Sequence, residues 1–80
     1  MEVQSVLIDK KYLSRKKAEE WIKKNNYKLK KIDITDNLYR FRQLDPKLFN
    51  QKSFRIKVIK ETKKGRMVML VVGNRKKKSK

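Results

Sequence analysis

The string Leu38-Tyr39-Arg40-Phe41-Arg42-Gln43 interleaves two aromatic rings with two guanidinium groups, one residue of each kind in turn. On a strand this alternation sends the rings to one face and the arginines to the other. Guanidinium groups in such a row can clamp phosphates bidentately, and in the reverse orientation Tyr39 and Phe41 would stack on exposed bases. A small domain needs the buried area of its aromatics, so the rings are assigned to the core and Arg40 and Arg42 are left to project toward a partner. Further cations fall on the neighbouring segments: Arg55 and Lys57 on an alternating run, expected to join Arg40 and Arg42 on one sheet face, Lys16, Lys17, Lys23 and Lys24 on a helical one, and Arg75, Lys76, Lys77 and Lys78 near the end of the chain.

These cations belong to a strong overall bias. The 80 residues hold 25 Lys and Arg against 8 Asp and Glu, a formal net charge of +17, whereas solubility of a small domain asks for a net charge of only about 2 to 8. A body so charged repels itself and gains from a dense polyanion. Nucleic acid is the default partner; an anionic membrane surface and acidic proteins are the other polyanions that the composition admits. There is no Cys and no His. Thiol nucleophiles, thiolate metal sites and the commonest general acid/base are therefore excluded. One enzymatic route is left, a Mg²⁺ site of a small nuclease built from Asp33, Asp36 and Asp45. A turn position for Asp36 and a helix cap for Asp45 explain these residues locally, so no catalytic residue, metal or cofactor is predicted.

The elements that must carry the cations follow from periodicity. Val3 to Asp9 alternates and is rich in β-branched residues, which predicts a first strand. Ser14 opens a helical period as N-cap, with Ala18, Trp21 and Ile22 on one stripe and Asn25-Asn26 as a left-handed stop. Trp21 on that stripe is read as core, and Glu19 and Glu20 are spaced to pair with Lys23 and Lys24. Leu29 to Ile34 and Leu38 to Leu44 flank a turn at residues 35 to 37, which predicts a hairpin. Asp45-Pro46 predicts one helical turn through Phe49, followed by a strand from Ser53 to Glu61. After a turn at residues 62 to 65, Arg66 to Val72 is a near-continuous apolar strand, with Met67 and Met69 read as packing residues.

The predicted fold class is α+β: a single small domain over residues 1 to 73, with a mostly antiparallel four- to five-stranded sheet and one main helix packed on one face. Residues 74 to 80 read as a disordered basic tail, because five of the seven are cations and none is apolar. The first 73 residues keep +12 without that tail. The apolar run from Met67 to Val72 is too short to span a membrane, so no membrane partner is expected and a soluble, intracellular protein is. That strand, placed at a sheet edge, would pair with a second copy as a homodimer.

A family resemblance rests on Gln4 to Ile8, Lys11, Ala18 and Trp21, then on Tyr39-Arg40-Phe41-Arg42-Gln43, Asp45-Pro46, Phe49, Ser53-Phe54-Arg55 and Val72-Gly73. Over residues 3 to 73 the chain resembles a small domain of tailed phages and large DNA viruses, found near prohead-protease and capsid-morphogenesis genes. The resemblance implies a viral setting, in the virion or inside the infected host cell. Members typically carry His-Gly after the helix, where this chain has Asn25-Asn26, and they are less basic. The expected function is non-enzymatic, largely sequence-independent nucleic-acid binding that neutralises or compacts the genome, with DNA favoured over RNA only by the viral resemblance. Binding to about 5 to 8 phosphates gives an expected log-log salt slope of roughly −4 to −7. The alternative is a structural virion protein that docks acidic capsid or scaffold partners.

Overall fold

The computed structural model describes residues 1–76. Strand β1 (Glu2–Asp9) leads through a tight turn into helix α1 (Arg15–Lys24), and strands β2 (Lys31–Ile34) and β3 (Leu38–Arg42) form the hairpin. Two short 3₁₀ turns, Pro46–Leu48 and Gln51–Ser53, precede β4 (Arg55–Thr62) and β5 (Gly65–Gly73). The five strands make one sheet in the order β2-β3-β1-β5-β4, every neighbouring pair antiparallel. The α+β class is as expected. Among the described residues no helix is long and apolar enough to cross a membrane.

Local chemistry accounts for each boundary. The Ser14 hydroxyl accepts from the Lys17 amide at 3.4 Å, and Asn26 takes the left-handed stop at φ 64°. In the hairpin turn the Leu38 amide donates to Thr35 Oγ1 at 3.0 Å. Strand β2 starts at Lys31, later than expected, because the Gln43 side chain takes over the pairing of Lys28: the Lys28 amide donates to Gln43 Oε1 at 2.7 Å, and Gln43 Nε2 donates to the Lys28 carbonyl at 3.0 Å. The single helical turn expected after Asp45 is two turns. Asp45 accepts from the Lys47 amide and Asn50 from the Lys52 amide, each acting as a cap.

Cross-strand partners share a face, so the register assigns the faces. Ile32, Phe41, Val6, Leu70 and Lys57 form one row, and Ile34, Tyr39, Ile8, Val68 and Lys60 the next. Helix α1 covers this face, burying Ala18 and Ile22 among Val6, Ile8, Phe41, Val68 and Leu70. Trp21 packs against this core and stacks on Tyr27 with ring centroids 6.2 Å apart. Three register shifts break the alternation. One between Val3 and Ser5 buries Gln4 and Ser5 consecutively, one between Lys60 and Glu61 does the same for Met67 and Val68, and one between Val58 and Lys60 leaves Ile59 without a cross-strand partner. A bulge lets successive side chains take the same side, which strict alternation forbids.

Three expectations need correction. Strand β5 is not an edge: β1 occupies one hydrogen-bonding side and β4 the other, so a second copy cannot pair along Met67 to Val72. The edges are β2 and β4. Nor does the ordered body stop at residue 73. The Asn50 amide donates to the Asn74 carbonyl at 2.9 Å, the Lys76 amide donates to the Leu48 carbonyl at 2.9 Å, and Phe49 bridges to Arg75. The segment from 74 to 76 is held because the two 3₁₀ turns offer it a backbone ladder; Lys77 and Lys78 lie outside the described residues. Lys23 and Lys24 do not pair with Glu19 and Glu20: Glu19 bonds Arg15 instead, at 3.1 Å.

Candidate nucleic-acid interface

Arg40 and Arg42 stand on the face opposite α1. There Lys31, Arg42, Ser5, Val71 and Ile56 make one row, and Asp33, Arg40, Leu7, Met69 and Val58 make the next. The face is divided. Its β2–β3 side is basic, while its β5–β4 side is aliphatic and leaves Ile56 51% exposed.

Strand β1 supplies the support beneath the arginines. Arg40 Nη2 donates to Gln4 Oε1 at 3.0 Å, the Ser5 hydroxyl donates to the same oxygen at 2.8 Å, and Gln4 Nε2 donates to the Leu44 carbonyl at 2.8 Å. Arg40 is thus oriented by a neutral amide and keeps its whole charge. Arg42 meets one carboxylate, Asp33 Oδ2 at 3.3 Å, in a partly exposed pair whose worth is about 0–1 kcal/mol. The Nε atoms of both arginines are shielded from solvent and bond to nothing. An unpaired buried donor costs about 1–3 kcal/mol. Gln4 and Ser5 were missed by the sequence reading; two consecutive polar residues inside an apolar run were the available signal. Replacing the acceptor, Gln4→Leu, is expected to lower stability by about 1–3 kcal/mol in a urea titration. An unchanged midpoint would show that this network is dispensable.

The expected convergence of Arg40, Arg42, Arg55 and Lys57 does not occur. Arg55 pairs with Val72 and Lys57 with Leu70, which puts both on the helix-bearing face of an edge strand. Strands β1 and β5 lie between β3 and β4, a lateral separation of about 14 Å. Arg55 Nη1 is also turned toward its own backbone, donating to the Phe54 carbonyl at 2.9 Å. The physical reason is the crossover after β3, which carries the chain past two strands before β4 pairs.

Lys16, Lys17, Lys23 and Lys24 are all exposed on α1. Seven-residue spacing sets Lys16 with Lys23 and Lys17 with Lys24 in two axial stripes on the helix surface. Arg75 is engaged by Glu2, and Lys76 is exposed. Tyr39 and Phe41 belong to the core side, as expected: Phe41 is fully buried, and Tyr39 packs against the core with Lys10 Nζ 5.7 Å from its ring centroid. Neither ring is offered to a base. Among the described residues no three His, Cys, Asp or Glu side chains gather as a metal site; Asp33 faces Arg42, and Asp45 caps a turn.

The cations of the sheet faces and of α1 fall on two sides. Lys31, Arg40 and Arg42 occupy the open face, and the helix lysines with Arg55, Lys57 and Lys60 occupy the other side. No family model, curated protein or solved structure matches this chain. The functional reading rests on charge and geometry.

Proposed function

We propose that this protein binds nucleic acid, duplex DNA foremost, without catalysis and largely without sequence preference, and that it compacts the DNA by holding separate segments on its two sides. The observation that carries the reading is the placement of cations on opposite sides of a thin body. The described chain measures 45 × 26 × 22 Å and contains only three ion pairs against its many Lys and Arg. Lys and Arg displace condensed counterions from phosphates, and the released ions supply the affinity. A protein with cations on one face coats a duplex; one with cations on two faces neutralises two duplexes at once and draws them together. No arrangement of side chains on α1 selects bases, so affinity follows phosphate density. The proposal extends to the setting that the sequence resemblance implies, the virion or the infected cell, where a genome must be condensed.

The test is energy transfer between two random-sequence duplexes, one carrying a donor dye and the other an acceptor. Protein at moderate salt is expected to bring the dyes together. Arg40→Gln with Arg42→Gln should retain binding through the helix side, reduce the log-log salt slope by about 2, and abolish most of the transfer. Binding with no energy transfer would overturn compaction; no binding would overturn the nucleic-acid reading.

One observation favours a second reading. The aliphatic half of the open face, with Leu7, Val58, Met69 and Ile56, is surface that a phosphate backbone does not need. It suits an acidic capsid or scaffold protein whose apolar side chains cover it while its carboxylates meet Arg40 and Arg42. Failure to bind DNA at about 150 mM salt would favour this docking role.

A further inference from the structure

A concavity lies at the end of the sheet where the turn after β1 meets the β4–β5 turn. The turn after β1 and the turn between β4 and β5 approach one another because Ile8 and Val68 are paired neighbours. Between them opens a cavity of about 390 Å³ lined by Lys11, Tyr12, Thr62, Lys63, Lys64 and Met67. That volume falls in the range of small-ligand sites, about 300–1,000 Å³.

Its walls are fixed by hydrogen bonds. The Tyr12 amide donates to the Asp9 carbonyl at 3.0 Å, and the Lys11 amide donates to the Asp9 carboxylate at 2.7 Å. Across the cavity the Lys64 amide donates to Thr62 Oγ1 at 3.2 Å, and Gly65 closes the turn at φ 122°. Tyr12 is 38% exposed and offers an aromatic surface, while Met67, 3% exposed and part of the core, closes the floor from below. Three lysines stand around this apolar floor, and no lining residue is acidic.

A ligand matched to the cavity has a flat, polarisable, largely apolar ring and an anionic group beside it. An aromatic ring and a thioether both favour such a face, and lysines favour the anion. A nucleotide has this form. Inside a duplex, however, each base is paired and stacked on both sides, so only an unpaired base can enter. We propose that the cavity formed by Tyr12, Met67 and Lys11, Lys63 and Lys64 receives one unpaired base of a single-stranded nucleic acid, with the lysines on the adjoining phosphates. This inference rests on the polyanion reading and adds to it a contact that only a strand with accessible bases can make.

The experiment compares two 12-nucleotide strands by fluorescence anisotropy, an oligodeoxythymidylate and an abasic strand with the same phosphates. Wild-type protein is expected to bind the thymidylate strand about 5- to 150-fold more tightly, the worth of one stacked base. Tyr12→Ala should erase that difference while leaving affinity for the abasic strand unchanged, and Tyr12→Phe should preserve it. Thymidine monophosphate added alone should compete only weakly, since a free nucleotide brings one phosphate where the strand brings many. Equal wild-type affinity for the two strands would overturn the base site while the polyanion reading stands, and this comparison needs no variant to fold. Binding to neither strand would overturn both.

Discussion

Raising the salt from about 150 to about 500 mM is expected to weaken binding of a random-sequence duplex by roughly 100- to 5,000-fold. The range comes from a slope of roughly −4 to −7, the value for about 5 to 8 displaced counterions, taken over about half a decade of salt. The body can supply that number on one side. Lys16, Lys17, Lys23 and Lys24 are exposed on α1, and Lys57 and Lys60 lie along the exposed edge strand on the same face of the sheet. Compensation by acids is slight, since the described carboxylates form only three ion pairs with the surplus. Anisotropy titrations at several salt concentrations measure the slope directly. A slope shallower than about −2 would mean that few phosphates are engaged and that apolar contact on the open face governs binding.

Truncating Phe49 is expected to be the most damaging single substitution, with Phe49→Ala losing about 3–5 kcal/mol. Phe49 is fully buried in the crossover between β3 and β4. Its ring lies 5.5 Å from that of Phe54, and both rings press on Gly73, where an added Cβ would come within 3.0 Å of a carbon of each. The same residue bridges to Arg75, so the crossover, the end of β5 and the chain beyond it share one anchor. A domain near this size rarely holds more than about 3–5 kcal/mol, so the variant should be largely unfolded in buffer by circular dichroism. Added duplex at low salt should recover part of the signal, because a ligand of the folded state stabilises it by mass action. A loss below about 1 kcal/mol in urea would show that the crossover is a peripheral strap.

The features legible in the sequence are those set by near neighbours. Ser14, Ala18, Ile22 and Asn26 define α1 because capping and the helical period act within a few residues. The alternation in Leu38 to Arg42 separates Tyr39 and Phe41 from Arg40 and Arg42 because strand side chains point to opposite sides in turn. The net charge needs no fold at all, and it alone directs attention to polyanions.

Strand order and the matching of faces between strands were decided by the tertiary structure. Arg42 and Arg55 each alternate correctly within their own strands, yet they emerge on opposite faces because β1 and β5 separate the two and each pairing sets its own phase. The bulges at Gln4–Ser5 and Met67–Val68 reset that phase without any Gly or Pro to announce them. The apolar run of β5 resembles an edge awaiting a partner until both of its sides are filled from within the chain. Such choices follow from contacts between residues tens of positions apart, where burial of the whole core selects one pairing. Local propensity has no means of weighing that selection.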